Sequence, residues 1–279
     1  MGCFPLPLDL SYNCEILSTL TKSITTLPVN KNNRVTTCMA AKKLYIEGPE
    51  DQALTSELKV ISRMLDLKGA SILELGCGAA EKTRAIAERT EVASITAVEI
   101  DPIQHTKNLK IVDLPKVTFK SYGAELIPEA DNSFEAVLMF KSLHHVPVAS
   151  MDQALKEICR VLKPGGLAYI SEPVFAGEFN EIMRLFHDEE IVRRHAFNAV
   201  SRAVNSEILE LKEEYFFKNV IRLASFDQYL AGILGVTHTD HQVTEETLTE
   251  VKRRFLKHET EEGYVFQIPN RIDLLRKPA

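Results

Sequence analysis

The chain has little that would staple, anchor or charge it. Its 5 cysteines, Cys3, Cys14, Cys38, Cys77 and Cys159, form an odd set without a C-x-x-C pair. That excludes a disulfide framework and a cysteine-based zinc site, and makes a reducing cytosol the expected compartment. A basic tract is also missing. Lys and Arg number 33 against 39 Asp and Glu, a net charge of -6 over 279 residues, so the electrostatic footprint of a nucleic-acid binder is absent. No apolar run approaches the ~20 residues that span a bilayer. The start Met1-Gly2-Cys3-Phe4-Pro5-Leu6 carries neither region of a signal peptide, and Leu6 stands where a myristoylation motif needs Ser or Thr. No membrane and no nucleic-acid partner is therefore expected. Internal repeats and low-complexity stretches are missing as well. What remains is a chain 45% hydrophobic, ample for a cooperative core.

Residues 1–50 scatter Pro5, Pro7, Pro28 and Pro49 among Ser, Thr and Asn, which reads as a loosely built N-terminal arm or lid. Leu54, Leu58, Ile61, Met64 and Leu65 then share one helical stripe, predicting a helix over 51–67 that Gly69 closes. Strand next alternates with helix: strands over 71–75, 94–98, 117–121, 136–140 and 167–171, with helices to Arg89, after Pro102 and over 151–162. This rhythm predicts an α/β fold with a doubly wound, mostly parallel sheet. After Pro173 it breaks. Phe179, Ile182, Met183 and Phe186 at i, i+3, i+4, i+7 predict a helical cap reaching about Leu211, followed by strands over 215–220 and 264–275 separated by helices over 226–234 and 244–258. The division expected is an arm over 1–50 and one α/β domain over 51–279, with the cap inserted at about 173–211.

The most informative segment is Ser71-Ile72-Leu73-Glu74-Leu75-Gly76-Cys77-Gly78-Ala79-Ala80. A buried strand runs into a glycine turn that opens a helix, where backbone N–H groups and the positive end of the dipole can meet a ligand. A Gly-x-Gly of this kind fits a dinucleotide fold, an S-adenosylmethionine fold or a structural turn. Glu99 ends the second strand, where an acid can accept both hydroxyl hydrogens of a ribose. Both cofactors would use that feature.

Three further features point to S-adenosylmethionine: Glu74 before the glycines, the run Ile127-Pro128-Glu129-Ala130-Asp131-Asn132-Ser133-Phe134-Glu135, and Leu162-Lys163-Pro164-Gly165-Gly166 before a strand. With Leu143-His144-His145-Val146, these motifs make the chain resemble the class I S-adenosylmethionine-dependent methyltransferases, in their small-molecule branch, over about 54–172. The resemblance implies a Rossmann-like sheet of seven strands, the last antiparallel, and S-adenosyl-L-methionine as cofactor. It places Glu74, Gly76, Cys77 and Gly78 around the methionine part, Glu99 on the ribose and Ile100 against the adenine. Phe140 and Lys141, ending the fourth strand, would face the same crevice. Gly123 departs from the pattern, because many relatives carry there an Asp that binds the adenine amino group. Glu125 or main chain near Ala124 is the expected replacement.

Methyl transfer from a sulfonium is an in-line displacement that needs alignment and exclusion of water, and a base only for a protonated nucleophile. His144 and His145 are the candidates for that base, against the plainer reading in which one of them packs. His238 and His241 have H-x-x-H spacing but lack a nearby third soft ligand, so no metal is expected. His187, His195, Arg184, Arg193 and Arg194 read as a solvated face of the cap, with an Arg able to pair a substrate carboxylate. The acceptor is expected to be a small molecule. The missing Asn/Asp-Pro-Pro-Tyr tetrapeptide, replaced by Phe140-Lys141-Ser142-Leu143, disfavours amide and base-amine acceptors. Same-fold chemistry without methyl transfer and a non-catalytic cofactor-binding subunit are the alternatives. The sequence leaves the oligomeric state open.

Overall fold

The computed structural model describes residues 44–234 and 243–279. The expected arm therefore lies outside the described residues up to residue 43, as do His238 and His241. The described part belongs to one compact unit.

Seven strands build the sheet: β1 (Ser71–Leu75), β2 (Ser94–Val98), β3 (Val117–Lys120), β4 (Phe134–Phe140), β5 (Leu162–Pro173), β6 (Glu210–Leu223) and β7 (Gly263–Arg276). Their spatial order is β3-β2-β1-β4-β5-β7-β6. All neighbours pair parallel up to β5, and β7 runs antiparallel between β5 and β6. This is the doubly wound sheet with an antiparallel last strand. Two two-residue strands, Ala53–Leu54 on β6 and Glu259–Thr260 on β7, extend it at the margin.

Strand alternation divides the core in two. Leu73 and Leu75 of β1 point to the face covered by α4 (Met151–Val161) and α6 (Glu190–Asn205), whose Met151, Ala154, Leu155, Ile158, Ala196, Ala199 and Val200 are buried there. Ile72 points to the other face, against α1 (Glu57–Met64) and α2 (Glu81–Arg89), with Val60, Ile61 and Ile86. Both faces are thus dry, as a parallel sheet requires.

A third cluster lies beyond the sheet. α5 (Glu178–Met183), α7 (Phe226–Leu234) and α8 (Glu245–Phe255) gather Ile182, Phe226, Tyr229, Val251 and Phe255 around Phe266 of β7. Phe179 meets Phe266 and Tyr229 edge-on at centroid distances of 5.3 and 5.7 Å. Of the expected stripe, Ile182 is buried in this cluster and Phe179 and Phe186 pack against it, whereas Met183 is half-buried and is not one of its members. Ile182→Val should cost about 0.5–1.5 kcal/mol by urea unfolding, the range for one buried methylene. No change would mean that the cluster repacks freely.

Element ends differ from expectation where polar residues interrupt an apolar pattern. The first helix begins only after Ser56, which sits extended at its N-cap, so Leu54 leaves the stripe, joins a strand edge and is 57% exposed. The cap holds two helices, α5 and α6, with Phe186 between them. Helix ends at Asn205, and β6 starts at Glu210, five residues before its expected start.

Candidate active site

The carboxyl ends of β1, β2 and β4 open onto a cleft of about 940 Å³, the position where parallel α/β sheets bind ligands. Its lining includes Gly76, Gly78, Glu99, Ile100, Ala124, Glu125, Phe140, Lys141 and His145. The structure brings these expected residues together. Glu74, Cys77 and His144 are not part of the lining.

The glycine loop is held from three sides. Gly76 and Cys77 donate their N–H groups to Val98 O at 2.9 and 2.8 Å. Gly78 donates its N–H to Glu99 Oε2 at 2.8 Å, and its carbonyl accepts from Asn108 Nδ2 at 2.7 Å. Gly76 has φ +75°, and a Cβ there would lie 2.6 Å from Ser142 Cβ, so only glycine lets the loops after β1 and β4 pack this closely. Ser142 completes the seam by donating its hydroxyl to Leu75 O at 2.8 Å.

Glu99 is the hinge of this wall. Its Oε1 accepts the Asp101 N–H at 2.9 Å, while Oε2 holds Gly78. The cap of α3 (Pro102–Asn108) is instead Asp101, whose side chain accepts from Ile103 N. Farther along the cleft, a Cβ on Gly123 would run into the Glu125 carboxylate. Glycine at 123 thus leaves room for an acid arriving from two residues on.

Period-two alternation explains the absence of Glu74 from the lining. It shares a face with Ile72 and lies beneath the loop at 1% exposure, where Oε2 accepts the Thr83 hydroxyl at 2.7 Å. Burial pushes its pKa up to about 7, against the opposing Thr83 hydrogen bond and Lys82. The Cys77 thiol is also buried, and its pKa is raised chiefly by that burial, with Glu74 and Glu99 adding to it. Lys141 has φ +55°, an uncommon value for a side-chain-bearing residue, and its N–H donates to Ser171 O at 2.7 Å. The residue lines the cleft, and burial lowers its pKa by disfavouring the charge, with Glu57 opposing.

His144 and His145 part ways. His145 is exposed into the cleft, whereas His144 is buried, with Nδ1 paired to Glu172 and Nε2 3.6 Å from Glu189 Oε1. Burial opposes the charge on His144, but Glu172 and Glu189 outweigh it and push the pKa up to about 9. Held between two carboxylates and outside the cleft lining, His144 is not placed to meet an acceptor's proton in the cleft.

Arg193 also departs from the expected solvated face. It turns inward to Glu189 Oε2 at 2.6 Å and to Asn180 Oδ1 at 3.0 Å. Arg184, Arg194 and His195 stay outside, Arg194 in an ion pair with Glu190. Glu172 and Glu189 were not among the residues read from the sequence, and no local spacing ties them to His144. Among the described residues no helix is long and apolar enough to cross a membrane.

The family profile described as "Methyltransferase domain" matches residues 72–166. Over 108 residues the chain is 33% identical to an uncharacterized methyltransferase of Mycobacterium bovis, covering 39% of this chain and 42% of that one. It thus spans less than half the length of that relative. An O-methyltransferase of Pyrenophora dematioidea is 28% identical over 204 residues, or 69% and 73% of the two chains. Among solved structures, a Bacillus halodurans protein named as a methyltransferase superposes with a TM-score of 0.57 at 19% identity, covering 81% of this chain and 100% of that one. At that identity the likeness is one of fold.

Proposed function

We propose that this chain is a class I S-adenosylmethionine-dependent methyltransferase, a reading supported by the methyltransferase-domain match and the methyltransferase relatives, and that it binds S-adenosyl-L-methionine in the cleft and passes the methyl group to a small-molecule acceptor. The observation that carries this reading is the Glu99 carboxylate, fixed between the glycine loop and the start of α3 and facing the cleft. The residues present fit the cofactor: a loop that only glycine allows at 76, an acid at 99, and an acid folded over Gly123. When bound, the cofactor supplies a methyl group on a positively charged sulfur, a good leaving group.

This chain's residues then bind, orient and exclude water. Glu99 accepts from the ribose hydroxyls, Glu125 meets the adenine amino group, and Ile100 and Phe140 supply apolar walls. Among the residues lining the cleft, His145 supplies an imidazole on the side left for the acceptor. Conversion of S-adenosylmethionine to S-adenosylhomocysteine, driven by an acceptor fraction from a metabolite extract, tests the reading. Stabilisation by NAD(H) with none by S-adenosylhomocysteine would end it.

Glu125→Ala should weaken S-adenosylhomocysteine binding by about 1–2 kcal/mol, on the order of one hydrogen bond. Calorimetric titration checks this. An inert variant would move adenine recognition to the main chain near Ala124.

A further inference from the structure

We propose that His144, His145 and Glu189 form a divalent-metal site at the acceptor side of the cleft. Each residue offers one ligand atom, and the three atoms lie within 4.8 Å of one another. The 3.6 Å between His144 Nε2 and Glu189 Oε1 is long for a hydrogen bond. It is close to the roughly 3.4 Å that separates two ligands bound at 2.0–2.1 Å to one tetrahedral ion.

The surroundings orient the donors. Glu172 takes His144 Nδ1, the carboxylate–histidine arrangement that leaves Nε2 for a metal. Glu172 is itself fixed by the Leu143 N–H at 3.0 Å. Arg193 holds Glu189 Oε2, which leaves Oε1 toward the imidazoles, and His187 Nε2 lies 2.8 Å from that Oε1. Two buried ligands and one exposed into the cleft give the ion a supported base and an accessible side. Three protein ligands leave a position open, the pattern of catalytic zinc rather than of closed structural sites. A His-His-carboxylate set suits zinc and its transition-metal neighbours.

The open position would take an acceptor hydroxyl or thiol and acidify it, with the proton released to solvent through the cleft; only this clause rests on the methyl-transfer reading. His145 then serves as a ligand, not as a base. The sequence reading expected no metal because it weighed only His238 and His241, which lack a nearby third soft ligand; Glu189 lies far from His144 and His145 along the chain.

The test is titration of the EDTA-treated full-length chain with Zn²⁺ and Co²⁺. The expected result is one ion per chain at micromolar affinity or better, with the visible absorption of four-coordinate Co²⁺. His145→Ala, a change at an exposed position, should weaken binding at least about tenfold with the melting temperature of the metal-free protein unchanged. Glu172→Gln should weaken binding about 10–100-fold, as outer-shell changes do. Wild-type binding that is absent at millimolar Zn²⁺, or no tighter than in His145→Ala, would overturn the site and leave His144 as a buried ion-pair partner. S-adenosylhomocysteine affinity, measured on the same samples, separates the two readings. Its retention without metal binding removes only the metal, and its loss removes the methyl-transfer reading.

Discussion

Glu99→Ala should weaken S-adenosylhomocysteine binding by about 2–4 kcal/mol, roughly 30- to 700-fold, while the protein stays folded. The size follows from what the carboxylate is asked to do. It follows β2 directly, half-buried beside the cleft, and its two oxygens already take the N–H groups of Gly78 and Asp101. An ionised carboxylate has about four lone-pair sites, so each oxygen retains acceptor capacity for a ribose hydroxyl. Alanine removes both charge-assisted bonds to the ligand and also frees the glycine loop. Global stability should change little, because Asp101 caps α3 and the Val98 carbonyl still holds Gly76 and Cys77. Calorimetric titration beside thermal unfolding reads the two effects separately. Unchanged affinity in a folded variant would reduce Glu99 to a clamp on the loop and withdraw it from the cofactor site.

The glycine-loop side of the cleft was legible in the sequence because the elements that build it are local. Strand, glycine turn and helix follow one another within Ser71–Arg89, and an acid at the end of the next parallel strand must land beside that turn. Buried strands such as Ile72–Leu75 are short apolar runs bounded by turn residues, so the sheet was legible too. The surroundings of the two histidines were not. His144 and His145 are equivalent by composition, but they sit in a single 3₁₀ turn, Leu143–His145, whose successive side chains point about 120° apart. One therefore goes inward and the other into the cleft. What receives the inward one comes from 28 residues away in Glu172 and from the start of α6 in Glu189, and no periodicity encodes such a meeting. Arg193 looked like one charge of a solvated helix face for the same reason. Its inward turn depends on a carboxylate at its own N-cap and on Asn180 from a different helix.

Glu74→Gln should stabilise the protein increasingly as pH rises, by about 3 kcal/mol at pH 8 relative to pH 4.5. Burial beneath the glycine loop raises the carboxyl from its usual value of 4.5 to about 7 in the folded state. A raised folded value means that the native state favours the proton. The stability this supplies is complete below about pH 4.5 and is lost as pH rises through about 7, where the unfolded chain ionises freely and the native state pays for a buried charge. Glutamine never ionises, and its amide keeps a partner in the Thr83 hydroxyl that now bonds Oε2 at 2.7 Å. Groups common to both proteins cancel in the difference, so urea unfolding of wild type and variant at several pH values isolates this one. A difference that does not vary with pH would show that Glu74 titrates normally. The resemblance assigns this acid to the methionine end of the cofactor. The variant should therefore bind S-adenosylhomocysteine about tenfold more weakly at pH 8, where the wild-type carboxylate acts across the loop in a poorly screened interior. At pH 5 the wild-type group is itself neutral, and the two affinities should converge.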